Sequence, residues 1–150
     1  MRAAGCWLQA AGSWPWGLVI AFFFFQGSAL ASEFQIQKID QKKGLELKKA
    51  NKCDLNISFG SYGSYGSGTP IKVEKEISAY LKAKAANIKS LYHWAWGMEG
   101  EYDYCVALKN SQEGHKYFEE LKKLIPEFSR KGYTTLIDKS GKSWKTTWPK

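Results

Sequence analysis

One segment sets the topology of this chain: Cys53-Asp-Leu-Asn-Ile-Ser-Phe-Gly-Ser-Tyr-Gly-Ser-Tyr-Gly-Ser-Gly-Thr-Pro70. Leu55, Ile57 and Phe59 alternate with polar residues, which predicts a half-buried strand. Glycines interrupt the pattern after Phe59. Thr69 then suits an N-cap, and Pro70 suits the first position of a helix. The segment therefore predicts a strand, a glycine loop and a helix start.

Residues 1–31 have the pattern of a secretory signal peptide. Arg2 is their only charge, residues 18–25 form an apolar run, and Ala29-Leu-Ala31 has the small-x-small form of a cleavage site. The apolar run is shorter than the roughly 20 residues that a membrane-spanning helix needs. We therefore expect export, with cleavage before Ser32.

The exported chain is expected to be basic and to hold two cysteines. The whole sequence has a net charge of +8, to which the signal peptide contributes only Arg2, and Cys6 is removed with that peptide. Cys53 and Cys105 remain, and an even pair in an oxidising compartment is more often bonded than free. One domain with one disulfide is the resulting expectation.

Residues 32–52 are polar and rich in lysine, and two interpretations stay open for them. Such a run buries little apolar surface, which favours a solvated basic leader with partial order. Within it, Phe34, Ile36 and Ile39 could form a short strand or a helical turn. The same charges would also suit an arm that contacts an anionic partner.

Two later segments have apolar residues at three- and four-residue spacing, which predicts amphipathic helices. The first runs from Pro70 to about Ala86. The second is capped by Asn110, with Glu113 completing a pair that resembles a capping box, and it is ended by Pro126. Alternating or β-branched runs predict strands over residues 88–96, 101–109 and 133–138, with room for one more over 143–148.

The core order is therefore β-α-β-β-α-β, which is the ferredoxin-like pattern, and it predicts a single α+β domain over residues 53–150. Its first and third strands would be antiparallel neighbours in an antiparallel sheet, with two helices on one face. That placement favours a Cys53–Cys105 bond. Strand alternation conflicts with this bond. It would place Cys53 on the core face with Leu55, but Cys105 on the other face of the sheet from core-facing Tyr104. Either a bulge precedes Leu55 or one of the two faces is misassigned.

Short motifs in this domain resemble small exported bacterial proteins of no established function. The motifs are Cys53-Asp-Leu55, Phe59-Gly-Ser-Tyr62, Trp96-Gly97, Glu99-Gly-Glu101 and Cys105-Val106. The Gly-Ser-Tyr repeat departs from that pattern and looks like an insertion in the loop. The resemblance implies a bacterial envelope protein with a shared disulfide, and it implies no activity.

The glycine loop does not match a phosphate-binding motif. A P-loop ends in Gly-Lys followed by Ser or Thr, whereas Gly66-Ser-Gly-Thr69 has no lysine, and the dinucleotide spacing is also absent. Two interpretations remain: a mobile linker, or a loop whose N–H groups contact an anion or a sugar near the helix start. In the second case Tyr62 and Tyr65 would stack on the ligand.

No metal or cofactor is expected, and catalysis is only the alternative hypothesis. His93 and His115 lie on different predicted elements, and no Cys-x-x-Cys or His-x-x-x-His spacing occurs. Acid-base chemistry needs paired groups, and Glu99 and Glu101 cluster at a hairpin that His93 could face. Carboxylates at a hairpin tip are usually just solvated. A small hydrolase or transferase using these three residues is therefore the runner-up.

Nucleic acid is not an expected partner. Ferredoxin-like domains that bind RNA place aromatic side chains on the open face of the first and third strands. The corresponding positions here are Asn56, Ser58, Asp103 and Ala107. Export would also separate the chain from cytoplasmic RNA.

The C-terminal tail alternates cations with large aromatic residues: Lys139, Lys142, Trp144, Lys145, Trp148 and Lys150. This composition suits anionic polymers, glycans or lipid headgroups. The other interpretation is a closing strand whose tryptophans cover the sheet edge. Trp94 and Trp96 share a face of the second predicted strand and suit either the core or a partner patch.

These patterns favour an exported, periplasmic binding module without enzymatic activity. Its expected partner is an anionic envelope polymer or an envelope protein, and a peripheral membrane contact is left open. The candidate binding residues are Tyr62, Tyr65, Trp144, Lys145 and Trp148.

Overall fold

The computed structural model describes residues 35–63 and 68–150, and within them the chain is α+β, as predicted. The strands are β1 Ile36–Lys38, β2 Leu55–Gly60, β3 Ile88–Ala95, β4 Tyr102–Leu108, β5 Tyr133–Asp138 and β6 Ser143–Lys145. The helices are α1 Gln41–Lys49, α2 Ile71–Ala83 and α3 Gly114–Lys122, with 3₁₀ turns at Ala85–Asn87 and Ser111–Glu113. The predicted signal peptide and Tyr65 lie outside the described residues.

All six strands form one mixed sheet in the order β1-β3-β4-β2-β5-β6. The central strand β2 pairs antiparallel with β4 and β5, and the β3–β4 and β5–β6 pairs are antiparallel as well. β1 runs parallel to β3, so the prediction of a purely antiparallel sheet is wrong. Between these two strands the chain passes through α1, β2 and α2, which gives it more than the length that a parallel crossover requires.

The main core lies between one face of the sheet and helices α2 and α3. The alternation predicted for β2 is present, because its three apolar side chains are fully buried in this core. Burial of each such side chain stabilises the fold by roughly 1.5–3 kcal/mol. The principal contributors are Leu55, Ile57 and Phe59 of β2, Ile77 and Leu81 of α2, and Phe118 and Leu121 of α3.

The opposite face of the sheet is partly covered by α1, so the described part of the predicted basic leader, residues 35–52, contains a strand and a helix. Asp40 caps α1 by accepting a hydrogen bond from the N–H of Lys43 at 2.8 Å. Ile39 and Leu47 pack against Trp94, which lies over the two cysteines. Few apolar residues are sufficient here, because the sheet already presents a large apolar ring to them.

The predicted Cys53–Cys105 disulfide is confirmed, with the two Cα atoms 5.2 Å apart. The chain bends at Asp54 before β2 begins, so the alternation of β2 does not extend back to Cys53. Asp54 is buried and stabilises the bend, because its Oδ2 accepts a hydrogen bond from the N–H of Leu108 at 2.7 Å. The parity conflict disappears because Cys53 is not a strand residue.

Element ends differ from the predictions where local turns intervene. Pro70, rather than Thr69, occupies the N-cap of α2 and offers no side-chain hydrogen bond. Asn110 accepts from the N–H of Gln112 in a 3₁₀ turn, so the predicted pair with Glu113 is not part of the cap of α3.

In the described residues, no helix is long and apolar enough to cross a membrane.

Gly44 lets α1 approach the sheet closely. A Cβ atom at this position would lie 2.7 Å from Cε3 of Trp94 and closer still to two other ring atoms. Helix propensity alone would favour alanine over glycine by roughly 1 kcal/mol. The packing against Trp94 therefore requires glycine at position 44, whereas the helix alone would favour alanine.

We predict that Gly44→Ala destabilises the protein by about 1–3 kcal/mol, because the methyl group overpacks the Trp94 ring. Gly114→Ala at the start of α3 is the matched control, since a Cβ there meets nothing within 4 Å. The control should be neutral or stabilising by up to about 1 kcal/mol. Urea unfolding of both oxidised variants measures the difference, and equal stabilities would contradict the packing argument.

Candidate functional site

A groove of about 400 Å³ lies on the second face of the sheet, beside α1. We call it the sheet groove. Polar and apolar side chains line it in similar proportion. The lining side chains are Gln41, Leu45 and Lys48 from α1, and Ser58, Trp94, Trp96, Asp103, Tyr133, Thr135 and Lys145 from the strands and strand ends.

Asp103 is the carboxylate of the sheet groove and is only 4% exposed. Lys48 donates to its Oδ2 at 2.5 Å, and the indole N–H of Trp96 donates to its Oδ1 at 3.0 Å. A buried carboxylate requires such partners, because an isolated charge is costly to remove from water. Asp103 thereby positions a lysine from α1 and an indole from the end of β3.

Trp94 supplies an unused hydrogen-bond donor beneath α1. The residue is 1% exposed, and its Nε1 has no hydrogen-bond partner among the described residues. The ammonium group of Lys48 lies 5.3 Å from the centre of the indole ring. The ring thus has a cation on one side, while its buried N–H remains without an acceptor.

Tyr62 and Trp148 are far apart in sequence but in contact in the structure. Their ring centres lie 5.0 Å apart in an edge-to-face arrangement, and Tyr62 lies 5.5 Å from the ring of Tyr133. Lys145 lies over that same Tyr133 ring, with its Nζ 4.6 Å from the ring centre. These four residues form what we call the aromatic–lysine surface.

The aromatic–lysine surface and the sheet groove are continuous, because Tyr133 and Lys145 belong to both. Gly60 makes this arrangement possible. It pairs with Tyr133 across the β2–β5 ladder, and any Cβ at Gly60 would overlap the phenol ring. The missing side chain lets Tyr133 lean over β2 toward the groove.

The two phenols of this surface keep their protons to unusually high pH. Burial raises the pKa of Tyr62 above its ordinary 10.0, with a smaller contribution from Tyr133. Burial also raises the pKa of Tyr133, followed by the negative charges of Glu101 and Asp103. Both hydroxyl groups are therefore hydrogen-bond donors at neutral pH, and Tyr62 uses its own on the carbonyl of Thr146 at 3.3 Å.

Trp144, a predicted binding residue, lies on the opposite face of the sheet from the aromatic–lysine surface. It pairs with Leu136 in the β5–β6 ladder and packs against the main core, with Lys122 lying 4.4 Å from its ring centre. Its indole N–H donates to the carbonyl of Ile125 at 3.4 Å. Alternation along β6 turns Trp144 and Lys145 to opposite faces.

The three residues of the catalytic alternative are not brought together. Glu99 accepts a hydrogen bond from the hydroxyl of Ser61, and Glu101 accepts one from the N–H of Glu99 at 2.9 Å. His93 pairs with Tyr104 and stacks edge-on against its ring at 5.4 Å, on the face of the sheet that carries α2 and α3. The Glu101 carboxylate stabilises the hairpin turn, the Glu99 carboxylate joins that turn to the loop after β2, and neither forms an acid-base pair with His93.

The sequence patterns did not identify the sheet groove as a site. Lys48 belongs to a segment that resembled a solvated leader, and the pairing of Asp103 with Trp96 depends on register across a hairpin. One signal was available, namely that Trp94 and Trp96 share a face of the second strand. That signal could not distinguish a buried residue from a surface residue. In the structure Trp94 is buried and Trp96 is exposed.

His93 is expected to make stability depend on pH. Burial, followed by the charge of Lys38, lowers the pKa of His93 below its ordinary 6.5. The unfolded state therefore binds more protons as pH falls through 6.5, and the free energy of unfolding decreases. We predict that His93→Gln reduces the loss of stability between pH 7.5 and pH 5.5, as measured by urea unfolding. An unchanged loss in the variant would show that His93 does not contribute to it.

Neither a metal site nor a relative identifies this surface. Over residues 35–63 and 68–150, no group of three or more His, Cys, Asp and Glu side chains is placed to hold a metal ion. The chain matches no protein-family model, no curated protein and no solved structure.

Proposed function

We propose that this chain is an exported, non-enzymatic binding module of the bacterial cell envelope whose ligand is an anionic polymer. The proposal rests chiefly on one observation: the contact between Tyr62 and Trp148 beside Lys145. The glycine loop and the C-terminal tail were separate binding candidates in the sequence, and their aromatic side chains meet at one surface. The signal-peptide pattern and the resemblance to exported bacterial proteins support the location.

We also propose that the fold contains a ferredoxin-like unit. Strands β2 to β5 with α2 and α3 form a ferredoxin-like unit, to which β1, α1 and β6 are added. The order β3-β4-β2-β5 and the antiparallel pairing of its neighbours support this proposal. The added elements matter for function, because α1 provides one wall of the sheet groove and β6 provides Lys145.

Lys145 is well suited to an anionic ligand. Five ion pairs occur among the described residues, and their lysines are Lys48, Lys72, Lys84, Lys139 and Lys142. Lys145 is exposed, is absent from these pairs, and lies over an aromatic ring. An acidic group can therefore bind Lys145 without displacing a carboxylate of the protein.

A polymer fits this surface better than a compact ligand does. The aromatic–lysine surface runs from Trp148 across Tyr133 into the sheet groove, so one extended chain can contact several side chains. Each contact at an exposed site is weak, and a repeating ligand adds them through effective concentration. Without Arg2 of the signal peptide the net charge falls from +8 to +7, and it provides attraction at longer range, which salt weakens.

We predict that Lys145→Gln weakens binding to an anionic envelope polymer about two- to fivefold, because one exposed charge contact is lost. The probe is purified poly(glycerol phosphate) or polygalacturonate, measured by calorimetry at low and high salt. Lys89→Gln is the matched control: it is an exposed residue of β3 next to Ser90, which pairs with Ala107 away from the groove. Equal losses in both variants would indicate attraction by net charge alone.

We also predict that the protein recovered from a bacterial envelope fraction begins at Ser32 and has no free thiol. Signal peptidase removes the segment after a small-x-small site, and the oxidising compartment keeps Cys53 bonded to Cys105. Intact-mass measurement before and after thiol alkylation tests both statements. Recovery of the chain starting at Met1 in the cytoplasmic fraction would exclude export.

A further inference from the structure

We infer that the sheet groove binds one carboxylated sugar residue of an acidic glycan, with the sugar ring between Trp96 and Tyr133 and its carboxylate at Lys145. This inference rests on the proposed function, because it names the chemical class of the polymer.

The walls of the groove are aromatic and have fixed positions. Trp96 is 37% exposed, and its indole is oriented by the hydrogen bond to Asp103. Tyr133 leans over Gly60 from the other side, with Lys145 above its ring. The C–H faces of a pyranose ring are apolar and pack on such aromatic surfaces, as the apolar parts of other amphipathic ligands do.

The floor offers small hydrogen-bonding groups rather than large side chains. Ser58 and Thr135 provide hydroxyl groups, and Gln41 provides an amide at the edge. Hydroxyl and amide groups both donate and accept, which matches the hydroxyl groups of a sugar. The volume of about 400 Å³ is near the lower end of ligand sites, which run from roughly 300 to 1,000 Å³, and suits a single sugar residue.

The charge of the groove suits a ligand that carries one negative charge per unit. Asp103 and Lys48 neutralise each other at 2.5 Å, so Lys145 is the one cation of the lining that makes no ion pair within the described residues. A single lysine matches the single charge of a carboxylated sugar. No arginine lines this groove, so an acidic group there meets a single ammonium group rather than a bidentate guanidinium.

The test compares four polymers on the purified, oxidised protein: polygalacturonate, its methyl ester, polyglutamate and poly(glycerol phosphate). We expect polygalacturonate to bind most tightly and Trp96→Ala to weaken it about tenfold, since aromatic contacts contribute up to about 1.5 kcal/mol. Phe128→Ala is the control, an exposed aromatic residue outside the groove, and should have no effect. Lys145→Gln should weaken binding of the acid but not of its methyl ester.

A second variant keeps the test decisive if Trp96→Ala loosens the fold, because Trp96 also contacts Asp103. Thr135→Val preserves the branched shape of the side chain and removes only its hydroxyl, and we expect about threefold weaker binding of polygalacturonate. If polyglutamate or poly(glycerol phosphate) binds equally well and neither groove variant matters, the sugar inference is overturned while the proposed function stands. If none of the anionic polymers binds, both are overturned.

Discussion

The packing of α1 on Trp94 is the contact on which the second face of the sheet depends. Gly44 brings the helix backbone against the indole ring, and the same ring covers the Cys53–Cys105 disulfide. With α1 in this position, Lys48 reaches Asp103 and the helix becomes one wall of the sheet groove. A helix at a greater distance would remove the Lys48 partner of Asp103 and one wall of the groove.

The disulfide and the bend at Asp54 lie next to the contact between α1 and Trp94. Cys53 lies just after α1, so its bond to β4 limits how far the helix can move from the sheet. The bond joins residues 52 positions apart, which restricts the unfolded chain by about 4 kcal/mol in the chain-entropy model. A short helix with few apolar residues is therefore held both by a covalent bond nearby and by one aromatic contact.

The predictable parts of this fold are those in which each element carries its own pattern. β2, β4 and β5 alternate, and α2 and α3 have apolar stripes, so periodicity alone located them. α1 has only Leu45 and Leu47 among lysines and a glycine, and its stability comes from Trp94, a contact that no local pattern contains. The site divides in the same way. Composition selected Tyr62, Lys145 and Trp148, which lie together in the structure, but it also selected Trp144, which lies on the other face because adjacent strand residues point to opposite sides.

Under the proposed function, the Lys48–Asp103 pair contributes to recognition more than to stability. A buried ion pair often contributes less to stability than apolar residues of the same volume, because both charges must lose water. Here the pair fixes two groups at the edge of the groove: the ammonium group over Trp94 and the indole of Trp96. It also removes its own charge from the ligand's surroundings, so that Lys145 sets the sign of the groove. An apolar pair at these positions would preserve the sheet and α1 but would leave Trp96 without the hydrogen bond that orients it.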